Sequence, residues 1–223
     1  FIPGVRRFVE RQKLRGVILL PPISENEELV GVLKDAGCDY VRVSYAMLDE
    51  PARMMVSSDR QAVTEVASYL QSLGHQRIGF IIGHPNQTAS GRRLDGYRAG
   101  LAEAGLAPVR ELITQGYFTY RSGLDAAEQL LALEAPPTAI FASNDDMAAA
   151  TVAVAHRLGL DVPADLTVCG FDDTALATTI SPELTTIRQP ITDMSRKAVQ
   201  MLIDAIRRRR AHEPAEHPHT LLD

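Results

Sequence analysis

Five short apolar runs punctuate the chain: GVILLPP (16–22), YVRVS (40–44), RIGFIIG (77–83), TAIFAS (138–143) and LTVCGF (166–171). They are rich in Val and Ile and flanked by Gly, Pro, Asn and Asp, the pattern of strands buried on both faces. Between and beside them lie segments of helical pattern: ENEELVGVLKDAG, RQAVTEVASYLQSLG, GRRLDGYRAGLAEAG, GLDAAEQLLAL and DMAAATVAVAHRLG. Four of these five close on a glycine, Gly37, Gly74, Gly105 and Gly159, where a helix needs a left-handed terminating residue. Such alternation leaves little choice of fold. It predicts an α/β chain with doubly wound, mostly parallel sheet and right-handed crossovers. The opening segment FIPGVRRFVERQ reads as an amphipathic helix with no strand before it, so the chain is expected to be a fragment.

The chain has 223 residues, 45% hydrophobic and 23% charged, with a formal net charge of −5. A mildly acidic surface repels a phosphate backbone, which argues against DNA contact by this stretch itself. No apolar run reaches the length of a membrane span, and the start lacks a signal-peptide layout. Cys38 and Cys169 have no CxxC spacing and are expected as buried free thiols in a reducing cytoplasm. The run RRRR (207–210) closes the last helical pattern, where the helix dipole favours positive charge; solvated arginines are preferred over a nucleic-acid patch.

In open parallel sheets, ligands bind outside the carboxyl ends of the strands. Here RIGFIIG runs into HPNQTASGRR, TAIFAS into NDD (144–146), and LTVCGF into DDT (172–174). Three strands thus deliver Asn, Asp and Arg to one edge. Each residue also has a plainer role: Asn144 or Asp145 as an N-cap, Asp173 as a turn residue, and one of Arg92 and Arg93 as a solvated side chain. No GxGxxG, P-loop, GxSxG or HExxH pattern is present, nor a His/Cys cluster with metal spacing. No catalytic residue, metal or cofactor is therefore expected. A mixed donor and acceptor set suits a neutral polyol, whose hydroxyls both donate and accept. A metal-assisted hydrolase built on Asp145, Asp146 and Asp172 is a rival reading.

The segments VSSDRQAVTEVASYLQSLGHQRIGFIIG, SGRRLDGYRAGLAEAG, TAIFASNDDMAAATVAVAHRLGL, PADLTVCGFDDT and PELTTIRQPI resemble, in order, the signatures of the LacI/GalR family of bacterial transcription regulators. The resemblance implies two periplasmic-binding-protein-like subdomains with the ligand cleft between them: 1–56 plus 188–215, and 57–187 plus 216–223. It implies that the helix-turn-helix headpiece and hinge helix, the first part of the N-terminal subdomain and the family's usual last strand all lie outside this sequence. Carried over one position at a time, it implies effector contacts at Arg93, Asn144 and Asp172, with Gln189 at the crossing between subdomains. Phe118 falls where the family sets an aromatic ring against the effector, with ordinary core packing an equal alternative. Ser44 falls where some members carry an acidic ligand-binding residue. The implied protein is a cytoplasmic, homodimeric regulator, a repressor by expectation. It would take a small sugar-like effector, bind operator DNA through a headpiece absent from this chain, and make no use of a membrane. A periplasmic sugar-binding protein of a transporter shares the fold and is the alternative.

Overall fold

The computed structural model describes residues 1–44, 46, 48–211 and 221–222. In chain order the elements are α1 (Ile2–Gln12), β1 (Gly16–Leu19), α2 (Glu27–Asp35), β2 (Asp39–Ser44), β3 (Met54–Ser57), α3 (Asp59–Ser72), β4 (Ile78–Ile82) and α4 (Thr88–Glu103). They continue with β5 (Ile113–Gln115), α5 (Tyr120–Leu131), β6 (Ala139–Ala142), α6 (Asp145–Arg157), β7 (Thr167–Asp172), α7 (Ala175–Thr179), β8 (Thr185–Arg188), α8 (Ile191–Ala211) and β9 (Leu221–Leu222). The chain divides into two compact units, Phe1–Ser58 with Pro190–Asp223, and Asp59–Gln189.

The first unit carries a parallel sheet in the order β1-β2-β3-β9. Alternation along β2 explains why its sequence is apolar on both faces. Tyr40 packs with Leu29, Val30 and Leu33 of α2 and Val9 of α1, while Val41 packs with Met55 and with Met194, Ala198 and Met201 of α8. Those α8 residues recur at helical spacing and form its buried stripe, while Ile191, Val199 and Ile203 of the same helix stay exposed. Arg42, wholly buried in the same strand, is tolerated because Ser24 O accepts from Nε at 2.6 Å and Glu27 from the guanidinium at 2.5 Å. The assignment of 216–223 to the other unit needs correction: Leu221–Leu222 pairs in parallel with Val56 and Ser57 of β3, inside the first unit. Residues 216–220 and 223 lie outside the described residues.

The second unit carries a five-stranded parallel sheet in the order β5-β4-β6-β7-β8. Helices cover both faces. Phe80, Phe141, Cys169 and Phe171 pack with Val63 and Leu70 of α3 and Tyr97 and Leu101 of α4. The alternate residues Ile81, Ile140, Ala142 and Val168 pack with Ala126 and Leu130 of α5 and Met147, Val152 and Val154 of α6. A Cβ on Gly96 would stand 2.3 Å from Arg60 O, and one on Gly100 2.5 Å from Thr64 O; bare backbone at both lets α4 lie directly on α3. The four predicted helix-ending glycines, Gly37, Gly74, Gly105 and Gly159, have φ of 61°, 95°, 71° and 76°.

Candidate functional site

The strand order of the second unit reverses at β4: the chain moves outward to β5, then returns to β6 on the other side. Such a reversal sends successive connections to opposite faces and opens a crevice at the carboxyl ends of the two strands. Arg93, on α4, is buried behind this edge. Its Nε donates to Asp59 Oδ2 at 2.7 Å, and Nη1 donates to the backbone oxygen of Ser143, just beyond β6. The guanidinium lies 3.6 Å from the Phe171 ring centroid and 5.7 Å from that of Phe118. Planar stacking and a carboxylate partner together make a buried guanidinium affordable. Nη2 is 3.8 Å from Asp172 Oδ1. That carboxylate oxygen also accepts from Gln189 Nε2 at 2.5 Å. Asp59, Arg93, Asp172 and Gln189 therefore form one connected row.

Asp172 is the electrostatically loaded member. Its side chain keeps 28% exposure, and burial pushes its pKa up to about 6. Arg93 and the Gln189 hydrogen bond pull the other way, while Asp145 and Asp59 add repulsion. Asp173 turns aside and pairs with Arg188. Among the described residues four non-glycines have positive φ, and three mark this edge: Phe118 (60°), Asp172 (118°) and Asp173 (57°). Left-handed backbone at such residues costs on the order of 1–3 kcal/mol and collects where surroundings over-determine the chain, typically at ligand sites. Phe118 takes part in core packing and also reaches the edge where Arg93 lies. Its ring packs against the α5–α6 core and also faces the Arg93 guanidinium, lying over Gly83, where a Cβ would collide with it.

The other predicted residues divide. Asn144 is the N-cap of α6: its Oδ1 accepts from Met147 N at 3.0 Å, and its Nδ2 donates to Phe118 O at 3.1 Å. The amide thereby also holds the strained Phe118 turn. Asp145 is buried and accepts from Thr174 N (2.7 Å), Thr174 Oγ1 (3.0 Å) and Thr186 Oγ1 (2.6 Å). With both oxygens so engaged, and Asp146 exposed, the carboxylates do not gather as a metal site; among the described residues no cluster of His, Cys, Asp and Glu could hold an ion. Ser44 belongs to the first unit, where its hydroxyl accepts from Ala46 N at 3.3 Å. Sequence reasoning missed Asp59, which looks like an ordinary first-turn acid in SSDR, and the platform role of Phe171, hidden as an apolar strand residue.

The periplasmic binding protein-like domain family matches residues 67–222. The regulator DegA of Bacillus subtilis is 36% identical over 189 residues, 83% of this chain and 56% of that protein. The chain spans about half the length of the curated relatives it matches. Among solved structures, a complex of the transcriptional regulator CelR with cellobiose is 29% identical with a TM-score of 0.87, covering 99% of this chain and 66% of that one. A LacI-family regulatory protein from Chloroflexus aggregans is 28% identical with a TM-score of 0.85, covering 99% and 78%. The chain belongs to the periplasmic binding protein-like domain family, in the form that makes the effector-binding core of LacI-family transcription regulators.

Proposed function

We propose that this chain senses a small, neutral, polyhydroxylated effector of sugar type and, as part of a longer regulator, controls occupancy of an operator. The observation that carries the reading is the row Asp59–Arg93–Asp172–Gln189 at the carboxyl edge of the second sheet. Arg93 and Asp172 are planar groups suited to holding vicinal hydroxyls, Gln189 adds an amide, and Phe118 offers an apolar ring for the C–H face of a sugar. Asn144 supports this set by holding the Phe118 turn. The solved relative complexed with cellobiose supports the sugar class. The relatives are named as regulators and repressors, which favours a cytoplasmic repressor over a transporter's binding protein. Operator contact would come from a headpiece outside this sequence, and homodimerisation would match a palindromic operator.

A thermal-shift panel of neutral sugars, nucleosides and purines, followed by calorimetry, tests this. A neutral sugar should stabilise the chain. Asp172→Asn should weaken its binding by about ten- to a hundredfold through loss of charge-assisted hydrogen bonds. Asp173→Asn, whose carboxylate is engaged with Arg188, should change affinity little. Equal affinities for wild type and Asp172→Asn would remove Asp172 from the site, and stabilisation by purines alone would replace the sugar.

A further inference from the structure

A cavity of about 450 Å³ lies in the first unit at the amino end of β2, the opposite strand end from that used by the site above. Its walls carry four cations, Lys34, Arg53, Arg208 and Arg209, against two carboxylates, Asp39 and Glu50. Asp49, 3.8 Å from Lys34 just beyond the wall, and the terminal carbonyls of α2 and α8, roughly half a unit of negative charge each, offset much of that excess, so a bound anion would depend on oriented guanidinium donors. Three of the cations stand within ion-pair range of a carboxylate without hydrogen-bonding to it. Lys34 stands 3.8 Å from Asp49, Arg53 3.9 Å from Glu50 and Arg209 3.7 Å from Asp39, all beyond hydrogen-bond reach. Arg208, half-buried in the wall, has no hydrogen bond or ion pair among the described residues.

The cations are nonetheless held in place. Arg209 donates to the backbone oxygen of Gly37, and Arg53 lies 4.9 Å from the ring centroid of buried Tyr40. Within the run RRRR, Arg207, Arg209 and Arg210 keep the exposure expected of solvated arginines, and Arg208 is the half-buried one. Arg207 stands 3.9 Å from Asp204 one turn back, Arg209 folds onto the end of α2, and Arg208 lines the cavity. Guanidinium forks with donors to spare suit phosphate oxygens, which accept two parallel hydrogen bonds. The volume exceeds that of a bare ion and is in the range of small-molecule sites.

We infer that this cavity is a second ligand site, independent of the sugar site, and that it takes a small molecule bearing a phosphoryl group. The test is calorimetry on the whole chain at low ionic strength with four probes: a hexose phosphate, its parent hexose, inorganic phosphate and a dicarboxylate. Saturable binding of the hexose phosphate that weakens about ten- to a hundredfold in Arg208→Gln would support the site. Among the described residues Arg208 makes no hydrogen bond or ion pair whose loss should unfold the chain, and a circular-dichroism melt matching wild type checks this. Arg53→Gln should weaken binding in the same direction. Equal binding by wild type and both variants would place the anion elsewhere and overturn the proposal, as would no binding at all. Inorganic phosphate binding as tightly as the hexose phosphate would overturn the small-molecule part, and a tighter dicarboxylate the phosphoryl part. Competition by the parent hexose would assign the binding to the sugar site instead.

Discussion

At the scale of the residue, Asp172 carries a conflict between stability and use. Its folded pKa, raised from 3.8 to about 6 by burial, means that the fold favours the protonated acid. Stability from this residue is therefore fully present below about pH 4 and is lost as pH rises through about 6. The displacement corresponds to at most about 3 kcal/mol, less whatever hydration the exposed part of the side chain recovers. Asp172→Asn removes the conflict. Urea unfolding of the unliganded chain should give equal stability for wild type and mutant near pH 4, with the mutant more stable by about 2 kcal/mol at pH 7.5. A mutant less stable at neutral pH would mean that the charge holds the fold together. Arg93 keeps a carboxylate partner in the mutant, because Asp59 remains within 2.7 Å.

At the scale of the element, the site depends on supports that touch no ligand. Asp145 ties the first turn of α6 to the loop after β7 and to β8 through Thr174 and Thr186. Asp145→Ala would strand three donors, with an expected loss of about 2–4 kcal/mol in unfolding free energy; a stability unchanged from wild type would contradict the bracing role. Gly96→Val should cost about 1–3 kcal/mol by forcing α4 off α3, read from the same urea titration. The sequence revealed these elements unevenly. The long helices and the strands buried on both faces were legible because Val, Ile and capping glycines repeat the demands of a parallel sheet. The short strands β3, β5 and β8 were not. ITQ and TTIR mix polar and apolar residues because each lies at a sheet edge, and MMVS has two methionines and a single Val in place of the Val and Ile pattern. In the site, Asp172 was legible from its place after a strand, whereas Arg93 was separated from Arg92 only by the family resemblance. Asp59 was not, since its partner lies far along the chain, and nothing local distinguishes a buried ion pair from an N-terminal helix acid.

At the scale of the whole molecule, the unit Asp59–Gln189 owns two apolar cores and a complete sheet. Expressed alone, residues 59–189 should fold, with a cooperative near-UV circular-dichroism melt; a molten signal would mean that the flanking segments are required. The first unit is assembled from two stretches of chain with this insert between them. Its α8 packs on β2 and β3, elements made roughly 130 residues earlier, so an unfolded insert would have to be closed as one long loop. The row of contacts described above gives the way round that delay. Asp59 and Gln189 are the first and last residues of the insert, and they meet through Arg93 and Asp172. Once the insert has folded, its two ends emerge side by side, and the long loop is replaced by a short, rigid one. Synthesis therefore has a built-in order, with the middle of the chain maturing before its beginning can be completed. The row that presents Arg93, Asp172 and Gln189 to the proposed effector also serves as the splice at which the two ends of the first unit are brought together.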